Sequence, residues 1–529
     1  MVSAFLGFER DELVDARDAA TPNLLQLDEQ GRHRPHRRHV AAGQLLATAT
    51  SLDEQAGPLQ HGDVLLHRGE AHVVARRECG DRVLAGQHAA HDVAPGPVGE
   101  CVEQGVRPVL VRLGHATNIQ PDGCTLSRAE AWDASRLRSS AVDNLTHTLI
   151  SAMVGEAIHR STPTSPTLTE SSRRNVAIGV MVVGGNLPDS DVLYTGWAGT
   201  TLDYLLHHRG HTHTIVGSLI LSLLLFVAVR LWWRYRRIEP HTADIRFLAV
   251  LAILAPLLHI GLDFTNSYGV HPFWPADDHW YYGDAVFIVE PLIWACSAPL
   301  LFTLRSRITR ALVAAVLLAG IGLSWFSGLV PVSLAALLTL LTLGLVAVGR
   351  FSSARTALTS GIVAWLVVTS VFVATSRTAK NQIDALLADS FPAARTLDTA
   401  LTPMPANPVC REVLTVQLAG DRYVARSGFY SLAPAWITAD RCAQLRLSST
   451  PTAPLVPVAR PSTDEMAWIG ELSIPATLPA TLAQEYCAVD ALLQFARVPW
   501  AAPRGEGWVV GDLRYDREPE LGFAEVEVS

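Results

Sequence analysis

Apolar residues in this chain gather into long blocks through its middle. Runs stand at Ile215–Trp233, Phe247–Leu262, Ala285–Leu304, Ala311–Phe326, Leu329–Gly349 and Ala357–Thr375. Each is close to the ~20 residues that cross a hydrocarbon core of ~30 Å at 1.5 Å per residue. A large soluble protein can bury apolar helices, but six in succession with short polar links read as membrane spans. Two shorter pieces precede them. "NLTHTLISAMVGEAIHR" sets Leu149, Ile150, Met153, Val154, Ala157 and Ile158 at helical spacing, with Asp143 or Thr146 as a candidate cap. "RRNVAIGVMVVGGNLPDSD" reads as a short apolar helix stopped by Gly184, Gly185 and Pro188. The predicted fold is mainly α: a polytopic membrane bundle of six long spans plus two short N-terminal helices.

The pattern changes at both ends. Residues 1–141 show no sustained period, and nine of the nineteen histidines scatter there among Arg, Gly and Pro. This stretch is expected to be a disordered tail or a mis-annotated extension, with Val142 as the natural start. A metal-binding His-rich tract is the other reading, though the spacing follows neither helix nor hairpin. After Thr375 the chain becomes less apolar and richer in proline. "EVLTVQLAGDRYVARSGFYSL" alternates like two strands around a Gly-Asp turn, and "GWVVGDLRYD" alternates likewise. Residues 376–529 are therefore expected to form a β-rich or α/β domain, and residues 301–375 to add further spans.

Charge assigns sides. "RYRRIEP", "RSRITR" and "GRFSSAR" follow the first, third and fifth runs. Basic links of this kind stay in the cytoplasm. That places the 265–284 loop and the C-terminal domain outside. Cys410, Cys442 and Cys487 would then lie in an oxidising compartment, where one pair can be bridged; spacing does not say which. The chain has 529 residues, is 49% hydrophobic and only 17% charged, and carries a net charge of −8. That balance argues against a nucleic-acid partner. None of the seven cysteines shows C-x-x-C spacing, which argues against a cysteine zinc module.

Ionisable residues near the apolar blocks carry the chemistry. His147 lies one turn into the first short helix, and Asp189 and Asp191 follow Pro188 in a turn. "HHRGHTHT" places His207, His208, Arg209, His211 and His213 at the mouth of the first long run. His259 and Asp263 are spaced i, i+4 and share a helix face. Asp284 opens the next run and Glu290 lies within it. Singly, each has an ordinary reading: a local hydrogen bond for His147, turn formation for Asp189 and Asp191, interfacial positions for His207 and His211, a helix cap for Asp284. Together they approach one membrane face. Imidazole and carboxylate suit zinc, with manganese or iron(II) as alternatives. Ionisable groups at membrane depth usually mark a functional site.

The segments "DNLTHTLISA", "NLPDSDVL", "HHRGHTHT", "HIGLDFTNSYGVHPFWP" and "GDAVFIVEP" resemble the YdjM-like family of inner-membrane-associated proteins, described as metal-dependent hydrolases. The resemblance covers roughly residues 142–300. It implies a bacterial inner-membrane protein whose functional set is His147, Asp189, Asp191, His208, His213, His259 and Asp263. Two positions depart from the family pattern: Val142 replaces an initiator Met, and Glu290 stands where Asp is expected. The family name also carries LexA binding, for which these residues offer nothing.

The expected protein is thus a membrane-bound hydrolase using a divalent metal, most simply zinc, at the outer face. His147, His208, His213, His259 and Asp263 are the expected ligands. Asp189 or Asp191 would be a ligand or general base, and Arg209 a holder of substrate oxygen. Asp284 and Glu290 would support the ligands from behind. The substrate would be a lipid-linked or envelope phosphoester or amide, with membrane lipid as partner. A transporter or metal permease ranks second. A non-catalytic envelope scaffold ranks third.

Overall fold

The computed structural model describes residues 134–193, 201–277, 279–445, 451–516 and 521–529, without the side chains at 134–143, 201 and 203. Expectations for residues 1–133 lie outside the described residues. Helix α1 (Ala134–Ser161) is followed by α2 (Glu170–Gly184), a 3-10 turn (Pro188–Asp191) and short α3 (Thr201–His207). A second 3-10 turn (His211–His213) leads into α4 (Ile215–Tyr235) and α5 (Thr242–Phe264). Then come α6 (Pro291–Cys296), α7 (Leu300–Thr303), α8 (Arg307–Phe326), α9 (Val332–Phe351) and α10 (Ala354–Ser390).

Five of these helices, α4, α5, α8, α9 and α10, are long and apolar enough to cross a membrane. The sixth expected span, Ala285–Leu304, is broken. Its helical part comes in two pieces, α6 and α7. The prolines explain the break. Pro291 sits at the first helical position, where its missing N–H costs nothing. Pro299 caps α7 after α6 has ended at Cys296. The centre of this segment, residues 290–300, is also buried throughout, with Ile293, Trp294, Ala298 and Leu300 inside the main apolar cluster. A segment apolar all round belongs inside a bundle, and this one packs against α1, α8, α9 and α10. Its ends still lie at opposite ends of the bundle. The Asp284 carbonyl accepts from Ser376 Oγ at 2.6 Å, while the Thr303 carbonyl accepts from Arg174 Nη2 at 3.1 Å.

A second cluster joins α2, α4 and α5 through Val176, Val180, Leu225, Leu248 and Leu251. Outward faces of α4 and α9 stay apolar, with Leu223, Leu224, Leu340 and Leu343 exposed. In water such a stripe would be untenable, and against lipid tails it is the expected surface.

Helix α10 outruns its apolar stretch. Ala379, Ile383 and Leu387 on its last turns pack on Leu401, Val413, Tyr430 and Met466 of the C-terminal domain. There β1 (Arg395–Met404), β2 (Asn407–Ala419), β3 (Arg422–Ser431) and β4 (Met466–Pro475) form an antiparallel sheet in sequence order. The predicted Gly-Asp hairpin joins β2 to β3, with Gly420 at φ +63°. Short α11 (Ala439–Gln444) is tied to β2 by the Cys410–Cys442 disulfide. Helices α12 (Leu478–Glu485) and α13 (Cys487–Phe495) precede a second sheet of β5 (Pro499–Arg504), β6 (Gly507–Asp512) and β7 (Glu525–Val528).

Candidate metal centre

Local sequence explains how the site is assembled. Thr214 caps α4 by accepting from the Gly217 amide at 2.8 Å, so the chain turns sharply just before the membrane helix. That turn holds His213 inward, fully buried. Arg209 adopts a left-handed backbone (φ 60°), a conformation uncommon outside glycine and often found at functional sites. Its amide donates to Asp191 Oδ2 at 2.9 Å. Helix α2 ends at Gly185, where any side chain would collide with the Ser151 hydroxyl of α1. The Gly185 carbonyl is therefore free to approach His259 on α5, and it lies 2.8 Å from His259 Nδ1.

Four donor atoms converge: Asp189 Oδ1, His213 Nε2, His259 Nε2 and Asp263 Oδ2. The two Nε2 atoms face each other at 3.0 Å. Asp189 Oδ1 lies 3.3 Å from His213 and 3.5 Å from His259. Asp263 Oδ2 lies 3.2 Å from each. Donors at 2.0–2.1 Å around a tetrahedral ion stand about 3.3 Å apart. The observed edges scatter around that value.

Hydrogen bonds behind the rings settle which nitrogens carry protons. A carbonyl can only accept, so His259 Nδ1 donates to Gly185 and Nε2 keeps its lone pair. Thr212 gives its hydroxyl proton to Asp191 Oδ2 at 3.1 Å. It therefore accepts from His213 Nδ1 at 3.0 Å, which frees His213 Nε2 as a ligand too. Four lone pairs then face one another with no proton between them. Either an added proton or a cation must balance them. Burial disfavours a charged imidazole, yet the carboxylates of Asp189, Asp191 and Asp263 outweigh it and hold the His213 pKa well above the usual value. Burial likewise works against ionising Asp189, but His259 and His213 hold its carboxyl well below the usual range. The pocket is thus rich in negative charge, as a cation site requires.

His147 stacks on His259 with ring centroids 3.9 Å apart, and its Nε2 lies 3.2 Å from Asp263 Oδ1. It borders the four donors without joining them. His208 belongs to a second group, with Asp189 and Asp191, and its Nδ1 lies 3.1 Å from Asp191 Oδ1. Asp189 is common to both groups.

Three expected roles differ from what the structure shows. Arg209 does not present its guanidinium to an open cleft. It is buried, pairs with Asp263 Oδ1 at 3.0 Å, donates to Asn266 Oδ1 at 3.1 Å and lies over the Tyr268 ring. Asp284 and Glu290 do not back the ligands. Asp284 accepts both Arg497 Nη groups, at 2.7 and 2.8 Å. Glu290 caps α6 through the Leu292 amide and also accepts from the Ala406 amide. His207 and His211, expected at interfacial positions and not as ligands, stack on each other with centroids 6.2 Å apart and lie outside both groups.

The comparisons bear on this geometry. Residues 142–331 match the YdjM inner membrane protein family. No curated protein and no solved structure matches the chain. The YdjM-type region holds every member of the cluster, from His147 to Asp263. The family match and the five long apolar helices together make this a membrane protein with a buried His/Asp group able to hold a metal ion.

Sequence reasoning missed Gly185, Thr212, Asn266 and Tyr268. Gly185 reads in the sequence only as a helix stop, and Thr212 sits between two histidines that draw the eye first. Asn266 lies just beyond the end of α5, three residues after Asp263, and that closeness along the chain is the available signal. Tyr268 is part of a roof reached through tertiary contacts. Tyr204 stacks on His208 at 4.7 Å, Phe523 meets Tyr204 edge-on, and Arg514 Nη1 donates to the Ser267 carbonyl at 2.8 Å. No sequence signal links those distant residues.

Proposed function

We propose that the protein is a metal-dependent hydrolase acting at the outer membrane face on a lipid-linked phosphoester or amide. The observation that carries the reading is the convergence of four donor atoms, with histidine–histidine and histidine–carboxylate separations of 3.0–3.5 Å and both histidines hydrogen-bonded from behind. Asp189, His213, His259 and Asp263 would hold the ion, zinc being the best match to two imidazoles and two carboxylates. A bound divalent ion polarises a phosphoryl or acyl oxygen and acidifies water.

The chain's own groups do the rest. Asp191 fixes His208 Nδ1 as the protonated nitrogen, leaving Nε2 to take or give a proton. Arg209 balances part of the Asp263 charge and holds that carboxylate in place. Ile215, Val216 and Phe264 are exposed beside His213 and Asp263, so apolar chains of a lipid-borne substrate would lie at the level of the site.

The direct test is metal content of the detergent-purified protein. The wild type should retain divalent metal. His213→Ala and Asp263→Ala should lose most of it at normal membrane yield, because a site with few protein ligands cannot spare one. His279→Ala, in an exposed loop position, is the control. Equal metal in all three variants would leave the envelope-scaffold reading in first place.

The depth of the cluster favours one alternative, metal carriage. His213, His259 and Asp263 are at most 1% exposed. Proteoliposome uptake of zinc that fails in Asp263→Ala, with no hydrolysis of phosphoester or amide lipids by the wild type, would put transport first.

A further inference from the structure

The end of the bundle away from the metal centre carries a cleft of about 460 Å³ between the end of α1, the start of α2 and the start of α10. Its lining includes Arg160, Arg173 and Arg355 against one carboxylate, Glu170. That carboxylate is 71% exposed and pairs with Arg305 at 3.7 Å, so it leans away toward solvent. Arg160 is anchored by the buried Glu156 through Nε and Nη2 at 2.8 and 2.7 Å. Arg173 is anchored by Thr162 and Asp244. Arg355 is fixed through Nε alone, donating to the Arg160 carbonyl, which leaves its two Nη groups at the cleft mouth. His159 also lines the cleft. It is only 8% exposed, and its Nδ1 has no hydrogen-bond partner among the described residues. That nitrogen is itself closed off, so His159 forms part of the cleft wall and is not a donor presented to it.

We infer that this cleft binds a ligand carrying a phosphate monoester, with Arg355 and Arg160 as its recognition groups. Guanidiniums pre-fixed by buried carboxylates are suited to phosphate oxygens, since the planar fork loses little freedom on binding. The volume is that of a small-molecule site and exceeds what a lone ion needs. The cleft lies at the level of the basic links, where lipid headgroups and soluble phosphate esters are both at hand. The shared chemistry is an anionic phosphate on a larger body. The site is separate from the metal centre and does not depend on it.

The test uses the full chain in detergent, with three probes: a short-chain phosphatidic acid, glycerol 3-phosphate and a short-chain phosphatidylcholine. Binding is read by native mass spectrometry and by thermal shift. Phosphatidic acid or glycerol 3-phosphate should bind the wild type, and phosphatidylcholine should not compete. Arg355→Gln should weaken binding about tenfold, the equivalent of about 1.4 kcal/mol. Arg307→Gln removes the same charge from the same end but at an exposed position outside the cleft lining, and should change little. Binding of the lipid alone assigns a headgroup site; binding of both phosphates assigns a soluble ester. Equal loss in Arg307→Gln and Arg355→Gln would reduce the effect to general surface charge and overturn the inference. So would phosphatidylcholine binding as well as phosphatidic acid, or no binding by any probe.

Discussion

At the scale of single residues, Asp191 is the hub of the candidate metal centre. Its two oxygens meet His208, the Arg209 amide, Thr212 and His213. Burial works against its ionisation, but the hydrogen bonds and charge of the two histidines hold its carboxyl well below the usual range. Asp191→Asn keeps the shape and removes the charge. An asparagine amide can donate where a carboxylate only accepts, so the Thr212–His213 relay loses its fixed direction. Metal affinity should fall about 10–100-fold, as for other residues that orient ligands. Isothermal titration of the metal-free protein measures it, and an unchanged affinity would show that Thr212 alone sets the His213 tautomer. The residues of this centre were legible because ionisable side chains at membrane depth are rare enough to stand out. Their division into two groups was not, since spacing along the chain carries no distance between Asp189 and His259. Nor was the fate of Arg209: a basic side chain beside a glycine looks like a substrate holder until Asp263 and Asn266 are seen around it.

At the scale of elements, hydropathy reported the blocks well and their continuity badly. A window average cannot distinguish a lipid-facing helix from a buried broken one, and Ala285–Leu304 has the same apolar character as its neighbours. Pro291 and Pro299 were the available signals. The broken segment also has a supporting role. Trp294 on α6 donates from Nε1 to Thr146 Oγ1 at 3.0 Å, next to His147 on α1. Both groups are buried. Trp294→Phe keeps a ring and removes the donor. It should destabilise the protein by about 1–3 kcal/mol, from an unpaired buried hydroxyl and a smaller ring. Thermal unfolding in detergent tests this. A companion Thr146→Val variant should make the Trp294→Phe change nearly additive-free, because the pair is lost once. Full additivity of the two would show that the hydrogen bond contributes nothing beyond packing.

At the scale of the whole molecule, the question is which side of the membrane carries the metal centre and the C-terminal domain. The two travel together. Arg497 of the domain grips Asp284 and Asp398 at once, and Arg514 holds the Ser267 carbonyl three residues beyond α5. Burial opposes the Arg497 charge, yet the two carboxylates hold its pKa well above the usual value. Such a pair, broken at one partner, strands a buried charge, so the docking is firm. Along α10, Ala354 at the basic end and Ser376 at the Asp284 end are separated by about 33 Å of helix, roughly one hydrocarbon core. By the positive-inside rule the basic links would put the Ala354 end in the cytoplasm, and the Cys410–Cys442 disulfide is compatible with an oxidising compartment for the domain. Cys487 provides the test. It is exposed and free, whereas Cys296 is buried and the other two are bridged. With Cys79, Cys101 and Cys124 replaced by serine, a membrane-impermeant maleimide should label intact spheroplasts at Cys487 and lose that label in Cys487→Ser. Labelling that appears only after lysis would turn the molecule over, placing the metal centre on the cytoplasmic side and removing any envelope substrate from its reach.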